Sequence, residues 1–312
     1  MKKYSKVLSL ALAFVMLFAL CACGAAETPA AEPTAAPAAD APASEAPAET
    51  EAPAESQGVL DQIKADSVLY VTLSPDFAPM EFVDSSKDGQ EQYVGFDVTL
   101  AKYIADYIGV DLVIEPMSFD ACQTAVYTGS VPMSISGYSW TEERGENYEI
   151  SDYYYAGDNE TEQVILIKKT DADKYTSAED FSGVDVGAQN ASLQMNLLTS
   201  QLPDANPITI GDLGVGVLEL QNGSIEALAV AKGNAEMIID SNPDLMICSW
   251  EFEVAAEYEA NVILITKGET ALLNVVNEAL AKAYADGLYG TWYEDAVALA
   301  KSENAAEVSV ED

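Results

Sequence analysis

Short apolar runs alternate with helical patterns along most of the chain after residue 58. Val68–Leu73, Gln163–Lys168 and Asn261–Thr266 have the length and β-branched content of buried strands. Between such runs, apolar residues recur every three or four positions, as in residues 97–108, where Asp97 is the expected N-cap. This alternation of strand and helix predicts an α/β fold built around parallel sheets.

The same pattern predicts two lobes. Further strands are expected at residues 111–115, 133–136, 184–187 and 227–230, and further helices at 119–129, 192 onward, 213–221, 234 onward, 271–285 and 288–300. Gln163–Lys168 and Asn261–Thr266 resemble each other and are expected to be the two hinge crossings. We therefore predict lobe 1 from residues 59–161 and 262–312 and lobe 2 from residues 162–261, with a cleft where strand carboxyl ends face each other.

The N-terminus has the pattern of a secretory signal. Three lysines precede an apolar run that is too short for a comfortable membrane span. The run ends in Leu20-Cys-Ala-Cys-Gly24, which resembles a bacterial lipobox, so we expect a signal peptide at 1–22 and a lipid on Cys23. Lipidation of Cys21, or cleavage without lipidation, are the alternatives. The Ala-, Pro- and Glu-rich remainder of 23–58 is expected to be a disordered linker, because it cannot bury enough apolar surface to fold. These features predict an extracytoplasmic protein whose only membrane contact is its lipid anchor.

Charge and composition exclude several classes of function. The chain has 52 Asp+Glu against 14 Lys+Arg, which excludes a nucleic-acid-binding protein because such a protein needs a basic surface. It has no histidine, which removes His-dependent catalytic triads and His-ligated metal sites. We expect no metal and no cofactor. Cys122 and Cys248 lie in apolar contexts and are expected to be buried free thiols, although they could also pair with each other.

The chain has one arginine, Arg144, in the segment Ser136-Gly-Tyr-Ser-Trp-Thr-Glu-Glu-Arg144. A guanidinium grips a carboxylate with two parallel hydrogen bonds, whereas lysine offers a point charge. A surface ion pair with a nearby glutamate is the alternative interpretation.

Several motifs, taken in order, resemble the family 3 extracellular solute-binding proteins, the periplasmic-binding-protein-like receptors of polar amino-acid ABC importers. They are Ser74-Pro-Asp-Phe-Ala-Pro-Met-Glu-Phe82, Gly95-Phe-Asp97, Phe119-Asp120, the arginine segment, Asn222-Gly-Ser-Ile-Glu-Ala227 and the stretch 272–287. The resemblance covers residues 60–300 and implies a two-lobed, type II-like Venus flytrap fold. It also implies a ligand-binding set of Arg144, Ser139, Gly137, Phe77, Phe119, Ser192, Ser74 and Ser136.

The chain departs from that family where the ligand's ammonium group is usually bound. The family's aspartate at that place corresponds to Ala231, which is followed by Lys232. Glu81 or Asp76 could bind the ammonium instead. Alternatively, the ligand lacks a free α-amine, and Lys232 either binds a second anionic group or is simply solvated.

The function predicted from the sequence is that of a monomeric, lipid-anchored receptor. It is expected to bind an amino acid or related carboxylate and to deliver it to an ABC transporter permease. An amino-acid dehydratase-like enzyme on the same fold is the alternative.

Overall fold

The computed structural model describes residues 58–155, 161–258, 260–302 and 305–306. The predicted signal peptide, Cys23 and nearly all of the linker lie outside these residues. The strands are β1 (Val68–Leu73), β2 (Asp76–Phe77), β3 (Glu81–Asp84), β4 (Tyr93–Val94), β5 (Asp111–Pro116), β6 (Met133–Ser139), β7 (Glu149–Ile150), β8 (Gln163–Lys168), β9 (Asp185–Gln189), β10 (Asn206–Ile210), β11 (Ala227–Ala231), β12 (Leu245–Ile247), β13 (Asn261–Ile265) and β14 (Ala305–Ala306).

The α-helices lie between and after these strands. They are α1 (Val59–Asp66), α2 (Phe96–Ile108), α3 (Phe119–Tyr127), α4 (Glu142–Asn147), α5 (Leu193–Gln201), α6 (Leu213–Asn222), α7 (Lys232–Ser241), α8 (Thr270–Ala285) and α9 (Leu288–Ala300). None of these described helices combines the length and the hydropathy of a membrane span.

Two five-stranded sheets organise the fold. The first sheet has the order β5-β1-β6-β13-β7, and the second has the order β10-β9-β11-β8-β12. Each sheet combines parallel pairs with antiparallel ones, such as β13 on β6 and β8 on β11. The chain leaves the first sheet after β7 and returns to it at β13. The two segments predicted as crossings form β8 in the second sheet and β13 in the first. The α/β fold with two passages between sheets is the predicted one, whereas the boundaries of the two lobes stay a prediction.

Both faces of each sheet are covered by apolar side chains. In β13, Ile263 and Ile265 pack in a core with α2 and α8, whereas Val262 and Leu264 pack on the opposite face against α3. In β8, Ile165 and Ile167 face one core of the second sheet, and Val164 and Leu166 face the other. Burial on both faces explains why these strands are continuously apolar rather than alternating.

The differences from the prediction include the starts of two helices and two strands of the second sheet. The residue at the N-cap of α2 is Gly95, because Asp97 is already inside the helix and fully buried. Helix α7 starts at Lys232 rather than near Asn234. Strands β10 and β12 were not predicted, and both lie at edges of the second sheet.

Candidate functional site

A small enclosed cavity lies between the two sheets and contains the guanidinium of the lone arginine. Its volume is about 20 Å³, and we call it the Arg144 cavity. Its lining comes from both sheets and the helices beside them: Phe77, Phe119, Gly137, Ser139, Arg144, Gln163, Leu193, Gln194, Ala231 and Asn261. The space holds roughly one water molecule, so a larger molecule can enter only if the two sides move apart.

Two of the larger concavities bear on the choice of site. An open outer cavity of about 370 Å³ also reaches Arg144 and is lined by α3, α4 and the start of α5, including Asp120 and Glu143. A surface groove of about 790 Å³ runs beside α2 and α9. Every charged residue that lines this groove is exposed, so it lacks the converging buried polar groups of a ligand site.

Arg144 is buried, with 4% of its surface exposed. Its Nε donates to Gln123 Oε1 at 3.2 Å, and its terminal nitrogens donate to the carbonyl oxygens of Ser139 at 2.6 Å and Ala191 at 2.9 Å. All three acceptors are neutral, and Arg144 forms no ion pair with any carboxylate of the described residues. Burial lowers the pKa of Arg144 to about 10, so the group is still cationic at neutral pH.

The local sequence turns Arg144 inward. Thr141 caps helix α4 by accepting a hydrogen bond from the Arg144 backbone N–H at 3.2 Å. The guanidinium then lies against two rings, with its Cζ 5.1 Å from the centre of Tyr138 and 5.8 Å from that of Phe119. Both distances are in the range of cation–π contacts. Tyr138 is fully buried and hydrogen-bonds Ser134, so it belongs to the core beneath the cavity.

Phe77 and Gly137 form one wall of the Arg144 cavity. Gly137 has a φ of 56°, and a Cβ at this position would lie 3.1 Å from the Phe77 ring. Glycine therefore permits both this backbone conformation and the close approach of the ring. The Gly137 N–H donates to Asp97 Oδ2 at 2.8 Å, and Tyr154 donates to the same oxygen at 3.0 Å. The Gly137 amide is thus already engaged, while Ser139 contributes its carbonyl to Arg144.

Five of the eight predicted binding residues line the Arg144 cavity, and the other three lie beside it with different partners. Ser74 donates to Asp76 Oδ1 at 2.8 Å, and Ser136 donates to Glu81 Oε1 at 2.5 Å. Ser192 caps helix α5 by accepting from the Met195 N–H at 3.1 Å. None of these three serines lines the cavity. Their hydroxyls form hydrogen bonds with a buried acid or with the backbone at a helix start instead.

The sequence prediction missed several lining residues. Gln194 donates to Gln163 Oε1 at 2.7 Å across the cavity wall. Asn261 is 5% exposed, and its Nδ2 has no hydrogen-bond partner among the described residues. Gln163 and Asn261 share a signal that could have revealed them, since each is a carboxamide residue directly before four apolar strand residues. Such a residue is the first residue of its strand, at the end of the sheet that borders the cavity.

Asp76 makes a second buried polar contact between the two sides. Its Oδ2 accepts from Gln189 Nε2 at 2.9 Å and from the backbone N–H of Leu213, at the start of α6, at 2.8 Å. Burial raises the pKa of Asp76 to about 7. A third contact joins the sides at the outer cavity, where Asn190 donates to Asp120 at 2.9 Å. These contacts hold the structure in a closed arrangement.

The two cysteines of the described region, Cys122 and Cys248, are buried free thiols, as the first of the two sequence interpretations expects. Burial raises the pKa of Cys122 to about 12 and that of Cys248 to about 11. Neither thiol lines the Arg144 cavity, and both act as small apolar residues of the cores.

Comparison with protein families matches residues 69–296 to the bacterial extracellular solute-binding proteins, family 3. A probable histidine-binding protein of Campylobacter jejuni is 26% identical over 223 residues, which are 72% of this chain and 82% of that protein. The arginine-binding extracellular protein ArtP of Bacillus subtilis is 28% identical over 224 residues, which are 70% of this chain and 82% of that protein.

Solved structures give the same picture. An amino-acid ABC transporter substrate-binding protein of Streptococcus pneumoniae bound to L-arginine has a TM-score of 0.71 and 31% identity, and the match covers 81% of this chain and all of that one. An ancestral amino-acid-binding protein, described as a precursor of cyclohexadienyl dehydratase, has a TM-score of 0.65 and 30% identity. That match covers 76% of this chain and 98% of the ancestral one.

Proposed function

The chain belongs to the family 3 bacterial extracellular solute-binding proteins, and from this premise we propose that it is a receptor that binds a small carboxylate at Arg144 and delivers it to an ABC importer. The relatives that bind arginine or histidine support a ligand of the amino-acid or related carboxylate class. Residues 59–161 with 262–312 form one lobe in this proposal, and residues 162–261 form the other. Cys23 carries the lipid anchor.

The observation that carries the proposal is the buried guanidinium with neutral partners. Arg144 has five N–H donors in a planar fork, and its three hydrogen bonds to Gln123, Ser139 and Ala191 leave two of them for a ligand. A buried charge is costly unless it is paired. A ligand carboxylate supplies the missing counter-charge and gains charge-assisted hydrogen bonds in return.

Binding requires opening and closing. The Arg144 cavity of about 20 Å³ is smaller than any amino acid, so the ligand enters when the lobes separate at the passages between β7 and β8 and between β12 and β13. Contacts from Arg144 to Ala191 and from Asp76 to Leu213 then form again around it. This is hinge closure of the kind that ligand-binding clefts use.

A dehydratase function is the second candidate, because one structural neighbour is a precursor of such an enzyme. Elimination of water needs a general acid or base that touches the substrate. The ten residues that line the Arg144 cavity include no carboxyl, thiol or imidazole group, which favours binding over turnover.

Calorimetry on the purified protein tests the proposed function. Amino acids, their derivatives and dicarboxylates are first screened by thermal shift, because a ligand that binds the folded state raises its melting temperature. Arg144→Ala is expected to weaken the best ligand at least hundredfold, since an unpaired carboxylate in a closed site costs about 3–5 kcal/mol.

Lys282→Ala is the matched control, because it removes one positive charge from the exposed surface of α8. It is expected to leave the affinity unchanged. An Arg144→Ala protein that folds and binds as tightly as the unaltered protein would refute the proposal.

A further inference from the structure

Among the described residues, the lining of the Arg144 cavity carries one formal charge, and that charge is positive. Of its ten residues, Arg144 is the only ionisable one, and the rest are aromatic, apolar, carboxamide, hydroxyl or glycine positions. The carboxylate of a zwitterionic ligand fits this lining, but its ammonium group would have no acidic partner there. An unpaired ammonium in an enclosed site costs several kcal/mol.

The buried carboxylates of Asp76, Glu81 and Asp97 accept hydrogen bonds from other residues. Asp76 accepts hydrogen bonds from Ser74, Gln189 and the Leu213 backbone, and Glu81 accepts one from Ser136. Asp97 accepts hydrogen bonds from the Gly137 backbone and from a tyrosine hydroxyl. None of these three acids lines the Arg144 cavity. The expectation that Glu81 or Asp76 binds an ammonium there therefore has no geometric support.

Three further charged residues of the described region lie outside the cavity. Asp120 and Glu143 line only the outer cavity, where Asp120 accepts from Ser118 and Asn190, and Glu143 is exposed. Lys232 forms an ion pair with Glu162 at 2.6 Å and is likewise absent from the lining. A second anionic group of a ligand thus has no lysine partner in the Arg144 cavity.

Neutral polar groups take the place of an acid. The Nδ2 of Asn261 is a buried donor without a partner among the described residues, and it lies 4.0 Å from the Cβ position of Gly137. Ser139 also lines the cavity, and Ala231 and Leu193 add apolar surface. A buried donor without a partner favours a ligand that brings an acceptor atom.

We propose that the ligand is a small carboxylate whose α-carbon bears a neutral oxygen-containing group, such as a hydroxyl or oxo group, instead of an ammonium. Ala231 and Asn261 set this preference. Ala231 places no negative charge beside the ligand, and Asn261 donates a hydrogen bond to it. This inference rests on the proposed function, because it assumes that Arg144 binds the carboxylate.

Matched ligand sets test the inference by calorimetry. Each set contains an amino acid and the 2-hydroxy and 2-oxo acids with the same side chain, for example alanine with lactate and pyruvate, and phenylalanine with phenyllactate and phenylpyruvate. The purified protein is expected to bind the hydroxy or oxo acid of its best set at least tenfold more tightly than the amino acid.

Ala231→Asp is expected to reverse this preference by at least tenfold. Ala231 is the N-cap of α7 and makes no side-chain capping bond, so aspartate suits the position and the fold should persist. Ala231→Asn is the matched control, since it offers the same size and a similar cap without the negative charge. It is expected to keep the preference of the unaltered protein.

The outcomes separate the inference from the proposed function. Tighter binding of the amino acid, abolished by Arg144→Ala, overturns the inference and leaves the receptor function standing. Equal effects of Ala231→Asp and Ala231→Asn also overturn it, because the charge would then not matter. Binding of any of these acids that survives Arg144→Ala overturns the proposed function, and failure of all carboxylates to bind overturns both.

Discussion

Arg144 contacts Ala191, just after β9, and Asp76 contacts Gln189, the last residue of β9, yet these two buried ionisable side chains satisfy their charges differently. Asp76 accepts three hydrogen bonds, and burial raises its pKa to about 7, so a proton can neutralise it near neutral pH. Arg144 donates to three neutral oxygens, and its pKa of about 10 keeps it cationic. A buried carboxyl group can lose its charge locally, whereas a buried guanidinium needs an anion from outside.

This comparison separates two tasks at one junction. The Asp76 contact is complete within the protein, because its carboxyl oxygens already accept hydrogen bonds from Ser74, Gln189 and the Leu213 backbone in the closed structure. In the proposed function, the Arg144 contact is complete only when a ligand carboxylate binds. In this proposal, the same junction between the sheets contains a structural contact at Asp76 and a recognition contact at Arg144, and the two are expected to differ in their response to pH and to anions.

The largest effect is expected from Asp76→Asn, measured by denaturant unfolding between pH 4 and pH 8. The folded pKa of Asp76 is about 7 and the ordinary value is 3.8, so the folded state binds the extra proton between these values. The free energy of unfolding should therefore fall as the pH rises from 4 to 7, by on the order of 4 kcal/mol for this group. The Asp76→Asn variant should lack the part of this decrease in the free energy of unfolding that Asp76 causes. It should therefore be more stable than the unaltered protein at pH 8.

Asp97 also has a pKa raised to about 7 by burial, but it is present in both proteins, so the difference between them isolates Asp76. Asp61→Asn on the exposed side of α1 is the control and should follow the unaltered protein at every pH. Parallel curves for Asp76→Asn and the unaltered protein would contradict a protonated Asp76 in the contact.

A smaller effect is expected from acetate, a probe that tests whether Arg144 accepts a carboxylate of any kind. At ten times its dissociation constant, acetate should stabilise the protein by about 1.4 kcal/mol. Arg144→Met should show no stabilisation beyond that given by sodium chloride at the same ionic strength. If both proteins gain equally from acetate, the anion acts on the general surface and not on the guanidinium.

The smallest effect is expected from Ala191→Gly, followed by the denaturant midpoint. Ala191 has a φ of 55°, in the left-handed region, while its carbonyl accepts a hydrogen bond from Arg144. Glycine should relieve about 1 kcal/mol of strain and keep the hydrogen bond. Ala188→Gly in the neighbouring strand β9 should instead destabilise the protein, since Ala188 is a buried strand residue whose φ is not positive. A loss of stability in Ala191→Gly would mean that no strain is stored there.

The sequence allowed the central strands and long helices to be predicted, because their own apolar patterns determine them. Strand β1 and helix α9 have the predicted bounds, and β8 and β13 differ by one residue at most. Strands β10 and β12 were not predicted, because they are edge strands with weak apolar patterns. Strand β10 contains Pro207, and β12 has three residues. Their pairing depends on neighbours that are remote in sequence.

The site could be predicted only in part, for a related reason. Arg144 is conspicuous in composition, and the motifs around it suggested Phe77, Phe119, Gly137 and Ser139. Asn261 and Gln194 reach the Arg144 cavity through strand register and helix direction, which no local pattern specifies. Ser74, Ser136 and Ser192 were included in the predicted site because they lie in or beside these motifs. Their hydroxyls instead hydrogen-bond Asp76, Glu81 and the first turn of helix α5, respectively.

The two buried thiols make the protein a convenient scaffold for an optical reporter. Because burial raises their pKa values to about 12 and 11, Cys122 and Cys248 should not react with maleimide dyes under native conditions. Once Cys21 and Cys23 are replaced, a single cysteine at the exposed rim position Glu143 would carry a fluorophore alone. Its emission would then test the proposed opening and closing directly, without removal of either native core sulfur.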